Sequence, residues 1–144
     1  MIKKSTRRYD VEIYKNEELT KEILDSVKVG DRISQTTKYM KVVGVSENYI
    51  FAIQNLFGET YYSIFDKHPS NFSHNMIYYP HCRLRGKYYC GTMGLIGGST
   101  YEDYDTSEGV EENLRVLESG EVEMSVRRCY TYNELTIARR KNHE

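Results

Sequence analysis

The stretch YIFAIQNLFGETYYSIF, residues 49–65, decides the fold of this chain. Two apolar and aromatic runs, residues 49–53 and 61–65, flank the turn segment at residues 56–59. Both runs are rich in aromatic and β-branched residues, which suit the pleated and half-buried surface of a sheet. The stretch therefore predicts the central β-hairpin of a small, mostly β domain.

Further strands are predicted on both sides of the hairpin, from short segments with strand-like patterns. The first strand is expected to begin near Arg8, after a basic arm at residues 1–8. The others are expected at residues 29–33, 39–45, 76–79, 87–90 and 121–126. In pattern, this run of short strands resembles the strongly bent strands of SH3-like barrels.

Two short helices are predicted outside these strands. The first begins at Asn16, a favourable N-cap residue, and its apolar residues Leu19 and Ile23 are four positions apart. The second helix is capped by Asp105 or Ser107. Its apolar face and the glycine that ends it are Val110, Leu114, Leu117 and Gly120.

Together these elements predict an α+β fold, with a bent antiparallel sheet or SH3-like open barrel and two short helices. A single domain is expected for residues 1–144, because this is the length of one ordinary domain. Residues 91–105 hold four glycines followed by acidic residues, which predicts a loop insertion. The charged residues 138–144 are predicted to form a loose C-terminal tail.

Composition restricts the function classes. The 20 basic and 21 acidic side chains give a net charge of −1, without the global attraction expected of a general nucleic-acid binder or membrane-surface protein. There is no apolar run of about 18 residues and no charged-then-apolar leader, so we expect a cytosolic protein without a membrane partner. The chain has 14 Tyr and no Trp. Such a composition suits a core that doubles as a binding surface, or a sheet buried against another copy of itself.

Most of the candidate metal ligands lie in one stretch; they are His68, His74, His81, Cys82, Cys90 and Cys129. Zinc sites usually pair ligands two to four residues apart, whereas the spacings from His68 to Cys90 are six, seven, one and eight. The cysteines lack an acid–base signature, and no paired carboxylates stand out. We therefore predict no metal, no cofactor and no enzymatic activity. A metal-dependent, HNH-like nuclease stays as a third functional alternative.

Arginines and tyrosines cluster in two places. Arg83 and Arg85 lie close to tyrosines such as Tyr78, and Arg127 and Arg128 follow a predicted strand. Guanidinium groups bind phosphates and aromatic rings stack on bases, so this combination suits a nucleotide pocket or a single-strand surface. The alternative is that these arginines pack on tyrosines at the solvent edge of a sheet.

Three segments carry a resemblance to a known family: YSIFD at residues 62–66, NMIY at 75–78 and EENLRVLESGEVEMSVRR at 111–128. They are similar to small bacteriophage proteins in which a Y-[ST]-I-[IF]-D strand precedes an N-[ML]-[IV]-[FY] strand. In those proteins the chain ends in a helix and an L-x-x-G-E-[IV]-E-[IVM]-S-x-R strand. This pattern resembles the phage antagonists of Thoeris defence, which bind and sequester a cyclic ADP-ribose-type signal without degrading it. The chain departs from it in an insertion at residues 81–101 and at Cys129.

The resemblance implies a non-enzymatic, phage-type anti-defence protein that sequesters a small cyclic nucleotide. It further implies a homo-oligomer with nucleotide pockets at subunit interfaces. In such a pocket Phe65 would stack on a base, Asn75 would hydrogen-bond it, and two arginines would hold phosphates. The ligand-binding residues expected together are Phe65, Asn75, Tyr78, Arg83, Arg85, Arg127 and Arg128.

A different class of function stays open beside this one. The acidic segment at residues 102–118 is also typical of a protein that mimics nucleic-acid phosphate. On this alternative the protein is an inhibitor of a host nuclease, such as an anti-CRISPR or anti-restriction factor, and its partner is a host defence protein.

Overall fold

Antiparallel strands make up most of the described residues. The computed structural model describes residues 1–34, 39–56, 59–69, 76–80, 83–84, 87–88, 107–120, 124–129 and 134–141. The strands are β1 (Ile2–Ser5), β2 (Tyr9–Lys15), β3 (Arg32–Ser34), β4 (Met40–Val45), β5 (Tyr49–Leu56), β6 (Glu59–Asp66), β7 (Met76–Pro80), β8 (Arg83–Leu84), β9 (Lys87–Tyr88), β10 (Met124–Cys129) and β11 (Glu134–Arg140). The helices are α1 (Lys21–Asp25) and α2 (Ser107–Glu118), and a 3-10 turn covers Asn16–Glu18.

The main sheet has seven strands in the order β1-β2-β11-β3-β4-β5-β6, and all neighbouring pairs are antiparallel. Strands from both ends of the chain meet inside it, because β11 lies between β2 and β3. Two further ladders, β7 with β10 and β8 with β9, have two strands each.

The predicted α+β class, with a bent sheet or SH3-like open barrel and two short helices, is wrong, although the second of the two predicted helices is present as α2. The described residues are mainly one open sheet, and β1 and β6 do not pair with each other to close it. Ile50, Phe51 and Ala52 are consecutive and each is 0 % exposed, so both faces of β5 are covered. Such coverage is typical of an open sheet between two layers, whereas a small barrel leaves the outer face of its strands to solvent.

The helix predicted to start at Asn16 is also wrong, because the chain leaves the helical conformation at Leu19 and Thr20. Both residues are extended, with φ and ψ of −68° and 130° at Leu19 and −129° and 164° at Thr20. The Oγ1 atom of Thr20 accepts a hydrogen bond from the backbone N–H of Ile23 at 3.2 Å, which caps α1. Asn16 therefore opens only a 3-10 turn, and α1 is a separate helix of five residues.

The hairpin predicted at residues 49–65 is confirmed, although it is not central. β5 and β6 pair without a register shift, from Tyr49 opposite Asp66 to Leu56 opposite Glu59. The hairpin lies at one end of the strand order, and β6 is the last strand of the main sheet.

The predicted loose tail at residues 138–144 is wrong where the structure describes it. β11 continues to Arg140, and the consecutive residues Ile137 and Ala138 are both buried between β2 and β3. The charged residues that suggested a tail are held in the strand, since Arg139 forms ion pairs with Glu12 and Asp31. Residues 142–144 and the predicted insertion at 91–105 lie outside the described residues.

The core lies mainly on one face of the sheet, where α1 packs. Its buried residues are Tyr14, Leu19, Leu24, Val27, Ile33, Met40, Val42, Ile50, Ala52, Phe65, Leu135 and Ile137. The opposite face is covered over β4 and β5 by α2, whose Val110, Leu114 and Leu117 are buried. Gly44 permits this contact, because a Cβ atom there would lie 2.2 Å from Cγ1 of Val110.

Candidate functional site

The structure describes five of the seven residues that the sequence predicted to bind a ligand, and these five lie in four different strands. Phe65 is 2 % exposed and belongs to the core, so its ring has no open face for a base. Arg83 lies on β8, opposite Tyr88 of β9. Asn75 and Arg85 lie outside the described residues.

The other three predicted residues are close together in the β7–β10 ladder. Val126 lies opposite Tyr78, and Arg128 lies opposite Ile77. The register shifts between Val126 and Arg128, which makes Arg127 the extra residue of a β-bulge. The backbone therefore brings Tyr78 beside both arginines, from segments of the chain that are about 50 residues apart.

A cavity on the main sheet combines the same residue types with side chains that the structure describes. Its volume is about 280 Å³. It lies on the face opposite to the main core, because its floor residues Val11 and Ala138 alternate with the core residues Tyr14 and Ile137 along β2 and β11. The lining residues are Thr6, Tyr9, Val11, Arg32, Tyr39 and Ala138.

A tight turn between β1 and β2 positions the first wall of the cavity. The backbone N–H and the Oγ1 hydroxyl of Thr6 donate to the carbonyl oxygen of Tyr9, at 2.8 and 3.1 Å. The backbone N–H of Tyr9 in turn donates to Oγ1 of Thr6 at 3.0 Å. These reciprocal hydrogen bonds hold the backbone of Tyr9 where β2 begins.

The second wall is cationic. Arg32, the first residue of β3, is exposed, and its guanidinium carbon lies 5.9 Å from the centroid of the Tyr9 ring. This distance is within the range of a cation–π contact. Tyr39 lines the same cavity and is 44 % exposed. The cavity therefore offers two aromatic rings and one guanidinium, which can stack on a planar ring and hold an attached anion.

The sequence did not single out these wall residues. Tyr9, Arg32 and Tyr39 are far apart in the chain, and the floor residue Ala138 comes from the C-terminal strand. They meet only because β11 pairs with both β2 and β3. One feature of the sequence pointed toward Tyr9, since it directly follows the basic arm at residues 1–8. No local motif connects Tyr9 with Arg32.

The acidic segment proposed for nucleic-acid mimicry is partly engaged within the fold. Glu118 accepts hydrogen bonds from Oγ of Ser46 at 2.6 Å and from the backbone and side-chain nitrogens of Asn48 at 2.7 and 2.8 Å. Burial raises the pKa of the Glu118 carboxyl, but these hydrogen bonds outweigh that effect and the pKa lies below its ordinary value. Glu111 is exposed on α2, while residues 102–106 lie outside the described part of the chain.

The metal-dependent alternative has only one of its predicted side chains in the described structure. His68 is exposed, Cys129 ends β10, and the other four candidates lie outside the described residues. Within the described residues, no three His, Cys, Asp or Glu side chains are grouped so as to hold a metal ion.

The fold and the cavity define a class: an open antiparallel sheet with a cationic and aromatic pocket on one face. No family model, curated protein or solved structure matches the chain. Among the described helices, none has the length and apolar character needed to span a membrane.

Proposed function

We propose that this protein is a non-enzymatic binding protein that captures a small nucleotide in the cavity between Tyr9, Arg32 and Tyr39. The observation that carries the proposal is the position of the Arg32 guanidinium, 5.9 Å from the ring centroid of Tyr9 at the wall of the cavity. Aromatic rings that line a cavity offer stacking surfaces to a base, and a guanidinium beside them offers a fork of donors to a phosphate.

The size of the cavity supports a small ligand. Its volume of about 280 Å³ is slightly below the range of about 300–1,000 Å³ seen for drug-sized ligands. A single base or nucleoside matches this volume. The cavity also has few polar groups: its polar lining consists of one threonine hydroxyl, two phenols and one guanidinium.

The biological role that we propose is the sequestration of a cyclic ADP-ribose-type signal in a phage-type anti-defence function, in the cytosol of the host. Support comes from the similarity of residues 62–66, 75–78 and 111–128 to the bacteriophage family described above. The same similarity supports a homo-oligomer, which light scattering of the purified protein tests directly.

The experiment that tests the binding function is a titration with cyclic ADP-ribose isomers, followed by calorimetry and by the melting temperature. We expect the ligand to raise the melting temperature, because a ligand that binds only the folded state stabilises it. Heating the complex should release the ligand with its mass unchanged, as expected for binding without catalysis.

Substitutions identify where the ligand binds. Arg32→Ala and Tyr9→Ala should each weaken binding by about tenfold or more, since each removes a charge-assisted or stacking contact. Tyr9→Phe keeps the ring and should retain most of the affinity. Tyr49→Ala is the matched control, because Tyr49 is a half-buried tyrosine of the same sheet outside the cavity.

Two results would count against the proposal. Absence of a melting shift with every nucleotide tested removes the binding function. If Arg127→Ala and Arg128→Ala abolish binding while Arg32→Ala leaves it unchanged, the nucleotide binds at the β7–β10 ladder and not in the cavity.

A further inference from the structure

β1 forms an open edge of the main sheet. It is the first strand of the sheet order, and among the described strands it pairs with β2 alone. Residues 1–8 are all exposed, including the apolar Ile2, which is 52 % exposed. An edge strand presents backbone donors and acceptors to which another extended chain can add.

Backbone hydrogen bonds show which residues of β1 point toward this edge. The N–H of Thr6 donates to the carbonyl oxygen of Tyr9 at 2.8 Å, just beyond the last ladder pair of β1 and β2. In an antiparallel ladder, pairs that exchange hydrogen bonds alternate with pairs that do not. Lys4 therefore directs its backbone groups toward β2, and Lys3 and Ser5 direct their N–H and C=O groups toward the open edge.

The far side of β2 gives the same result. There the N–H of Lys141 donates to the carbonyl oxygen of Arg8 at 2.8 Å, so residues 8, 10 and 12 bond toward β11 and residues 9, 11 and 13 bond toward β1. Lys3 and Ser5 are two positions apart, or about 7 Å, which matches alternate residues of another strand. Together they offer that strand two donors and two acceptors.

The open edge is cationic. Lys3 and Lys4 lie on β1, and Arg7 and Arg8 lie in the turn that follows it, whereas the whole chain has a net charge of −1. Among the ion pairs of the described residues, none includes any of these four side chains.

The nearest carboxylates of β2 are engaged with other cations. Glu12 lies opposite Lys3, but its Oε2 atom is 3.4 Å from Nη1 of Arg139. Oδ1 of Asp10 lies 4.0 Å from Nζ of Lys141. The positive charge of the edge is therefore available to a partner.

A second copy of β1 is an unfavourable partner. Its outward groups also belong to Lys3 and Ser5, which leaves three two-fold registers: Lys3 opposite Lys3, Lys3 opposite Ser5, or Ser5 opposite Ser5. These registers place Lys3 against Lys3, Lys4 against Lys4 and Lys3 against Arg7, respectively. Like charges directly opposite each other are destabilising, and lysines commonly protect edge strands from self-association.

Nucleic acid complements the charge of the edge but not its backbone. A phosphate group accepts hydrogen bonds and so suits the lysines and the N–H groups. It offers no donor to the carbonyl oxygens of Lys3 and Ser5, whereas a peptide strand carries both donors and acceptors at the required spacing.

We propose that the outer edge of β1 binds an extended acidic segment of a partner protein, which adds to the main sheet as a further strand. Lys3 and Lys4 are consecutive and project to opposite faces, so the incoming strand presents two consecutive carboxylates, one opposite each lysine. Arg7 and Arg8 attract the same segment beyond the end of the strand. This binding is separate from nucleotide capture, because it uses the edge of the sheet and not the cavity.

The test is calorimetry of the full chain with a short synthetic peptide that has two consecutive glutamates flanked by valine and threonine. Lys3→Glu and Lys4→Glu should each weaken binding by about tenfold or more, because attraction becomes repulsion. Lys28→Glu is the matched control, since Lys28 is an exposed lysine in the turn between α1 and β3. Its affinity should stay within about twofold of the wild type, because salt screens distant charges.

Ser5→Pro separates strand addition from simple charge attraction. Proline removes the outward N–H of this position, leaves every charge in place and is tolerated in an edge strand where the N–H faces solvent. Peptide binding should weaken by about threefold to tenfold, the contribution of one hydrogen bond, while the melting temperature stays unchanged. A peptide with N-methyl groups on alternate backbone nitrogens should lose the same factor on the wild-type protein, which tests the point without a protein variant.

Several results would overturn the inference. One is absence of binding up to about 1 mM peptide. Another is full affinity in both Ser5→Pro and the N-methylated peptide, or equal binding of a peptide with lysines in place of the glutamates. Binding of a thymidine oligonucleotide but not of the peptide would show a nucleic-acid surface instead. Each of these results leaves the nucleotide cavity untouched, because that site is tested with its own ligands and variants.

Discussion

Arg139 donates a hydrogen bond from Nε to Oδ2 of Asp31 at 3.1 Å, and this contact joins β11 to the turn before β3. The Nη2 atom of Arg139 also donates to the carbonyl and hydroxyl oxygens of Ser26, both at 3.0 Å, and Nη1 lies 3.4 Å from Oε2 of Glu12. The Asp31 side chain is only 10 % exposed. One arginine therefore joins α1, β2 and β3 on the core face of the sheet.

Arg139→Ala should destabilise the protein by about 2–3 kcal/mol, because it leaves the buried Asp31 carboxylate without its guanidinium partner. Chemical unfolding at neutral pH measures this loss. Arg140→Ala is the matched control, since Arg140 is the exposed neighbour in the same strand, and its effect should stay within about 0.5 kcal/mol. Equal losses for the two variants contradict this role for Arg139.

Local pattern was sufficient to predict some of this fold. The hairpin of β5 and β6 is encoded by neighbouring residues, and its two strands pair over their full described length. The spacing of the apolar residues Val110, Leu114 and Leu117 likewise predicts the buried face of α2, and all three are buried. Gly120 has a φ of +73°, a left-handed conformation that glycine adopts without strain after a helix.

The strand order and the cavity depend on contacts that no local pattern reveals. The charged residues 138–144 are typical of a terminus, yet Ala138 is buried because β2 and β3 flank it. The cavity could not be predicted from local pattern for the same reason. Val11, Arg32 and Ala138 become neighbours only because β11 pairs with both β2 and β3. The arginine–tyrosine contact of the cavity, between Arg32 and Tyr9, involves two residues that the sequence did not indicate as a pair.

Gly44→Ala should destabilise the contact between α2 and the sheet by about 1–3 kcal/mol, the usual cost of an overpacked core. The new Cβ atom would lie 2.2 Å from Cγ1 of Val110 and 2.9 Å from Cδ1 of Leu114, so the helix must shift. Thermal unfolding of Gly44→Ala, Val110→Ala and the double variant forms a double-mutant cycle. The double variant should lose less stability than the two single variants combined, because Val110→Ala removes the nearer of the two clashing atoms. Strict additivity would show that the two positions do not contact each other.

Glu118 should make the stability of the protein depend on acid pH. Its pKa lies below the ordinary value of 4.5, so the unfolded chain takes up the proton before the folded protein does as the pH falls. The stabilising contribution of Glu118 is therefore fully present above pH 4.5 and disappears as the pH falls through the lowered pKa. Glu118→Gln should be less stable than the wild type by about 1–2 kcal/mol at pH 7, because it loses the charge in these hydrogen bonds.

Urea unfolding of Glu118→Gln and the wild type between pH 7 and pH 3 measures this dependence. The difference between the two proteins should shrink below pH 4.5. Glu111→Gln is the control, because Glu111 is exposed on the same helix, and its difference from the wild type should be small throughout. A Glu118→Gln difference that is constant over the whole pH range contradicts the lowered pKa.

Ala138→Leu should block nucleotide binding without unfolding the protein. Ala138 is 5 % exposed and forms part of the floor of the cavity, so the larger side chain extends into the space that we propose for the base. Filling a cavity with an apolar side chain often preserves or raises stability, so the melting temperature should not fall while the affinity for AMP falls by more than about tenfold.

Thr136→Leu is the control, since Thr136 lies two residues away on the same face and outside the lining. Ala138→Ser, which adds one small polar atom, should retain binding. Wild-type affinity in Ala138→Leu would show that the ligand does not enter this cavity.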